Sequence, residues 1–320
     1  MPSLAEIRAK LLQQQQQTSP GSGDNSMYPF WNAPEGSTTT IRFLPDADTE
    51  NVFFWRERQM IRIPFSGILG QDERKYVAVT VPCMEMWNET CPIHQEIRPW
   101  FKDPKLEEEA RKYWKKRSYI FQGFVVENPL KEENEPENPI RRFVINSSIY
   151  KIISAALMDP DFVEVPTDFE QGTDFKLVKT QKGQYADYTT SSWARRERAL
   201  NQVERDAIEQ YSLNNLNDFM PKKPNENELK VIMELFEASV QGELYDPERF
   251  SQYYAPPGIR SENNGSSNIA DNDYDESTVV KKAEPVKEQV KEDPKPIASG
   301  DNKPSANEIL EMIRQRKSAS

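Results

Sequence analysis

Seven short runs rich in β-branched and aromatic residues punctuate the chain between residues 38 and 180. They are TTTIRFLP, NVFFWRE, QMIRIPF, KYVAVTVP, YIFQGFVV, RRFVIN and DFKLVKT. Runs of this length and type, separated by turn residues, bind the segment to a sheet-based core. NPLKEENEPENP (128–139) is a turn-rich loop between two of them. Helical periodicity breaks in at SSIYKIISAALM (147–158), and takes over from about Trp193 with ARRERALNQVERDAIEQY and NENELKVIMELFEASVQ. The expected class is therefore α+β, with a globular part over residues 27–257.

The flanks differ in kind. Residues 1–26 read as a helical arm and a polar linker. Ser3 and Glu6 make a capping-box pattern, Leu4, Ile7 and Leu11 share one face, and Arg8 and Lys10 supply cations. Residues 258–303 are polar, acidic and proline-punctuated, the composition of a disordered tether. Residues 304–320 return to an amphipathic helical pattern, and PSANEI at 304–309 parallels PSLAEI at 2–7. Two similar ends of one chain are expected to compete for one groove on the globular part. Isolated helices this short are marginal in water.

One stretch points to a function. Arg111, Lys112, Lys115, Lys116 and Arg117 place five cations in seven positions, and Tyr113, Trp114, Tyr119 and Phe121 are interleaved with them. Cations attract a phosphate backbone, and aromatic faces stack on unpaired bases. That combination favours a single strand over a duplex, whose base faces are hidden. The alternative is a cationic strand edge with its aromatics in the core. A net charge of -11 does not oppose nucleic-acid binding. Residues 1–196 hold 25 Lys+Arg against 28 Asp+Glu, and much of the excess acid lies further on. Local potential steers a polyanion, not net charge.

Cys83, Cys91 and His94 are the chain's only cysteines and only histidine, and they fall within twelve residues. Cys91-x-x-His94 has the spacing of a metal half-site, and thiolate with imidazole suits Zn²⁺. A fourth ligand has to come from Glu85, Glu89, Asp72 or water; the alternative is two reduced thiols and a surface histidine. His94-Gln95-Glu96 spells H-x-E, but the second deaminase element is missing. The phosphate loop G-x-x-x-x-G-K-[ST] and the G-x-S-x-G elbow are missing too, so no enzyme is expected. No apolar run is long enough to cross a membrane, and the N-terminus lacks the apolar core of a signal peptide. A cytoplasmic protein is expected.

Several segments together resemble the gene 32 family, the single-stranded DNA-binding (helix-destabilising) proteins of T-even-type bacteriophages. They are TTTIRFLPDAD (38–48), CPIH (91–94), KKRSYIFQGFVVENP (115–129), RRFVINSSIYKI (141–152) and DFKLVKTQKGQYADYTTSSW (174–193). The resemblance implies an OB-fold core with a zinc-bearing insertion around 72–118. It also implies an N-terminal arm for cooperative self-contact, and a tail that recruits replication and recombination proteins. It places Arg42, Lys115, Lys116, Arg117, Tyr119, Arg142, Tyr185 and Tyr188 along a DNA groove, with Arg141 where the family has a tyrosine. For Arg42 and Arg142 the alternative is an ion pair, and for Tyr185 and Tyr188 ordinary strand packing. The implied role is sequence-independent coating of single-stranded DNA during phage replication, recombination and repair, in the cytoplasm of the infected bacterial host. The rivals are a single-stranded RNA-binding regulator and a scaffold without nucleic-acid affinity. His94 stands where the family has its last cysteine, and the family's upstream histidine has no counterpart here.

Overall fold

The computed structural model describes residues 26–71, 75–132, 135–257 and 259. The N-terminal arm, the tether, the C-terminal helical segment and Asp72 lie outside the described residues. The fold is mixed α+β with a sheet-rich core. Its strands are β1 (Thr38–Leu44), β2 (Arg56–Phe65), β3 (Val77–Pro82), β4 (Lys116–Glu127), β5 (Arg141–Asn146), β6 (Thr173–Val178), β7 (Thr180–Lys182), β8 (Tyr185–Asp187) and β9 (Ser192–Glu197). The helices are α1 (Pro92–Ile97), α2 (Glu107–Lys112), α3 (Ser147–Leu157), α4 (Gln202–Tyr211), α5 (Glu226–Val240) and α6 (Pro247–Phe250).

The main sheet runs β3-β2-β4-β1-β6-β9, with β5 added on β4, and β7 and β8 form a separate hairpin. Every pairing between these strands is antiparallel. Strand β4 is the spine. Its first half pairs with β2 (Arg56↔Ile120), its second half with β1 (Phe43↔Gly123), and β5 pairs with its other edge (Phe121↔Phe143). Gly123 permits the crossing: a Cβ there would lie 2.2 Å from the Arg42 carbonyl oxygen.

Two main cores flank this spine. One gathers Ile41, Phe43, Phe121, Phe143, Phe175 and Ile149 between β1, β4, β5, β6 and α3. Helix α3 presents Ile149 and Ile153 to it, and Asn146 caps the helix by accepting the Ile149 N–H. The other core lies between β2, β3, the segment from Cys83 to Tyr113, and α5, and includes Ile63, Val79, Trp100, Tyr113, Leu235 and Phe236. Helices α4 and α5 each start on a complete capping box, Asn201/Glu204 and Asn225/Glu228.

Two local expectations fail. NVFFWRE is not a strand: residues 51–55 form a bend, and β2 starts only at Arg56 and runs on through QMIRIPF. The aromatics there satisfy each other without a ladder. Helical structure also begins later than Trp193. SWARRE is edge strand β9, held by the Phe175↔Trp193 pairing, because docking on β6 overrides the helix propensity of Arg, Glu and Ala.

Candidate nucleic-acid interface and metal centre

The cation cluster straddles the end of α2 and the start of β4. Arg111, Lys112 and Arg117 are exposed, while Lys115 and Lys116 are half-buried. Arg111 pairs with Glu107 and Lys112 with Glu109, both on α2, and Arg117 lies 3.4 Å from Glu57 on β2. Such exposed pairs contribute roughly 0–1 kcal/mol each, so a phosphate can exchange for the carboxylate at little cost. Lys115 is held differently. Its Nζ donates to Gln59 Oε1 at 2.7 Å and to Glu85 Oε2 at 2.6 Å.

Beside the cluster runs an aromatic track of which the sequence pattern marks only Tyr119. Phe53, at the tip of the 51–55 bend and 56% exposed, stacks on Trp55 with centroids 4.7 Å apart. Trp55 meets the edge of Tyr150 on α3 at 5.6 Å. Tyr150 stacks on Tyr119 of β4 at 3.5 Å, with the rings 9° from parallel. Trp55 and the predicted groove residue Tyr119 are buried, Tyr150 is half-buried, and Phe53 is the ring that stands open to solvent. The track thus ends two residues from Arg117. Burial pushes the phenols of Tyr119 and Tyr150 up from their ordinary value, so both stay neutral. In the sequence, Phe53 and Trp55 lie in NVFFWRE, whose composition predicts a strand.

Other residues placed on the groove lie inside the protein. Arg42 is fully buried: its Nη2 donates to the carbonyls of Asp168 and Arg198, both at 2.8 Å, and its Nη1 is 3.3 Å from Asp174. Arg198 closes the network on Asp174 at 2.7 Å and on Glu204 at 2.8 Å. Arg141 is paired with Glu132 at 2.8 Å, with its guanidinium over Tyr28. Arg142 donates to Ser26 and lies 3.7 Å over the Phe219 ring, and burial lowers its pKa to about 10. Tyr113 is buried against Trp100 and Phe236 and bonded to Ser239, and Phe121 sits in the aromatic core. Tyr188 is buried edge-on to Phe30, whereas Tyr185 on β8 is 38% exposed. Arg195 and Arg196 on edge strand β9 are exposed.

Cys83, Cys91 and His94 converge, with their ligand atoms within 4.8 Å of one another, and all three are buried. Local chain geometry brings this about. Cys83 caps the 3₁₀ turn Met84–Trp87, Asn88 reverses the chain in the left-handed region at φ 59°, and Cys91 precedes Pro92 at the start of α1. Cys83 Sγ is 3.8 Å from His94 Nδ1. Around tetrahedral zinc, a sulfur-to-nitrogen edge is about 3.6 Å, so the spacing fits the ion. A hydrogen bond between the two thiols pushes Cys83 up and Cys91 down. Glu85 Oε1 lies 2.9 Å from His94 Nδ1. Burial opposes its ionisation, but hydrogen bonds from Lys115 and His94 outweigh it and hold the carboxyl at about 2. Trp114 stacks on the His94 ring at 4.4 Å and shields it.

The family model described as gp32 DNA binding protein like matches residues 35–237. The chain belongs to that family. The matched range takes in β1 to β9, α4 and most of α5, and with them the cation cluster, the aromatic track and the cysteine–histidine centre. A DNA-binding role comes with membership. The sequence matches no curated protein. No helix among the described residues is long and apolar enough to cross a membrane.

Proposed function

We propose that this member of the gp32-like family coats single-stranded DNA without sequence preference, over a surface built on β2, β4, α3 and the 51–55 bend. The observation that carries the reading is exposed Phe53 and half-buried Tyr150, backed by the buried rings of Trp55 and Tyr119 in one aromatic track that ends beside exposed Arg117. Stacking on aromatic faces contributes about 1–3 kcal/mol per base and tolerates any base. Arg111, Lys112, Lys116 and Arg117 would hold the phosphates. Affinity for unpaired strands over duplex draws melting forward by mass action, with no need for nucleotide hydrolysis.

Further parts of the reading come from the family. The core around β4 is an OB-fold. Cys83, Cys91 and His94 hold Zn²⁺, which ties the end of β3 to α1 and braces the platform from which β4 starts. The arm residues Leu4, Ile7, Arg8, Lys10 and Leu11 make contact with the next copy along the strand, which gives cooperative binding. The tail beyond residue 258 recruits replication and recombination proteins in the host cytoplasm.

The test is fluorescence titration with an oligo-dT strand and with its duplex, at low and high salt. Binding to the strand alone is expected, with quenching that is lost in Trp55→Phe. The salt slope should be steep, about −0.7 per phosphate neutralised. Equal affinity for duplex, or no binding, overturns the proposal.

A further inference from the structure

We propose that Glu85 is the fourth protein ligand of the Cys83–Cys91–His94 centre, and that loading the centre with zinc releases Lys115 to the nucleic-acid surface. The inference rests on the metal reading of that centre and deepens it. Glu85 stands two residues after Cys83, and its Oε1 is 2.9 Å from His94 Nδ1, the nitrogen that also faces Cys83 Sγ at 3.8 Å. That oxygen also accepts from Arg98 Nη2 at 3.1 Å and lies outside the mutually close set of Cys83, Cys91 and His94, so ligation turns the carboxylate inward and away from Arg98. Of the other two carboxylates, only Glu89 falls among the described residues, and it is placed worse. Glu89 is exposed and bonded to Lys223, and Asp72 lies outside the described residues.

Lys115 touches both non-sulfur ligands. Its ammonium donates to Glu85 Oε2 at 2.6 Å, and its backbone N–H donates to His94 Nε2 at 3.3 Å. That hydrogen-bond pattern assigns the ring proton to Nδ1, where it meets Glu85. Ligation through Nδ1 needs the lone pair there, so a neutral ring has to carry its proton on Nε2 instead. Nε2–H then faces the Lys115 N–H, donor against donor, and the start of β4 has to draw back. A carboxylate bound to a dication is also a weaker acceptor for an ammonium group. Gln59 Oε1, at 2.7 Å, is then the side-chain acceptor left to Lys115 Nζ. Metal loading and the availability of Lys115 are therefore linked, and Lys115 sits directly before Lys116 and Arg117.

The experiment uses the full chain in two arms. The first measures the visible spectrum of the Co²⁺-loaded protein and zinc affinity by chelator competition, for wild type, Glu85→Gln and Glu89→Gln. Glu85→Gln is expected to change the Co²⁺ bands and weaken zinc binding at least about 10-fold, while Glu89→Gln matches wild type. The second arm measures the salt slope of oligo-dT binding with and without zinc, for wild type and Lys115→Met. Zinc should steepen the wild-type slope by about 0.7, one further phosphate contact. It should leave the slope of Lys115→Met unchanged, although that variant still binds zinc. A wild-type spectrum and affinity in Glu85→Gln removes Glu85 as a ligand, and a wild-type slope indifferent to zinc removes the release of Lys115. Failure of wild type to bind any metal overturns the metal reading itself. Failure to bind oligo-dT in either state overturns the functional reading, whatever the first arm gives.

Discussion

Replacing Arg42 with methionine distinguishes a clamp inside the fold from a contact to phosphate. The guanidinium is fully buried and spans three segments: the turn at Asp168, the chain after β9 at Arg198, and Asp174 on β6. Gly172 leaves it room, since a Cβ there would lie 2.5 Å from Arg42 Nη2. Methionine retains most of the stem, so the loss is chiefly polar. Asp174 keeps Arg198 at 2.7 Å and is not orphaned, but two carbonyls lose their charged donor. At about 1–3 kcal/mol for each buried group left unsatisfied, the cost is about 3 kcal/mol. That lies at the lower end of the range for breaking a buried ion pair, roughly 3–5 kcal/mol. For a domain of this size it lowers the thermal midpoint by about 6–12 °C. Urea denaturation with an unchanged m-value, together with the salt slope of oligo-dT binding at a temperature where the variant is folded, makes the measurement. The slope should match wild type. A wild-type midpoint with a slope shallower by about 0.7 would refute the argument, because it would mean that Arg42 reaches a phosphate.

Phe53→Ala removes the exposed end of the aromatic track; single-strand affinity should fall about 5- to 100-fold, with the urea midpoint within about 0.5 kcal/mol of wild type. Gly123→Ala forces a Cβ toward the Arg42 carbonyl where β4 crosses to β1, and should cost at least about 1–3 kcal/mol in denaturation. Burial opposes ionisation of Asp46, but the N–H of Leu216, the Asn51 amide, the N–H of Asp48 and Arg56 outweigh it, so its pKa is depressed in the folded state. The stability it contributes is full above the unfolded carboxylate value of about 3.9 and is lost as pH falls through the lower folded value. Thermal midpoints followed from neutral pH to about pH 3 should therefore drop less in Asp46→Asn than in wild type, each relative to its own value at neutral pH.

What the sequence made legible follows from where the physics is local. SSIYKIISAALM folds as α3 because its period is helical and Asn146 caps it; NENELKVIMELFEASVQ becomes α5 on its own capping box. The cysteine–histidine centre was legible because three residues of two rare ligand types sit close in sequence, and a single reversal at Asn88 closes them. What was not legible depended on distant partners. Arg42, Arg141 and Arg142 read as surface cations, but Asp174, Glu132 and Ser26 receive them inside the fold. SWARRE has helix-forming composition and is a strand only because β6 offers an edge. NVFFWRE has strand-forming composition and is a bend because its rings pack on one another and on Tyr150. Strand propensity measures fit to a half-buried surface, and a loop of aromatics against α3 supplies one as well.

That last case bears on how the proposed surface works. Its fixed part stands on β4, which β2, β1 and β5 all hold by backbone hydrogen bonds, so Tyr119 and the base of Arg117 are positioned before a ligand arrives. Preorganisation of this kind lowers the ordering cost of binding. The outer part stands on the 51–55 bend, where Phe53 and Val52 are exposed and outside any ladder. Stacking is thus open to bases at the tip, on Phe53 and the exposed part of Tyr150, above a base of buried rings that includes Tyr119. A substitution at Tyr119 disturbs its stack on Tyr150 and the core beneath, and changes stability and binding together. A substitution at Phe53 should change binding alone. If Phe53→Ala and Tyr119→Ala instead lowered affinity in strict proportion to lost stability, the two rings would be packing residues, and the cations would have to carry the binding by themselves.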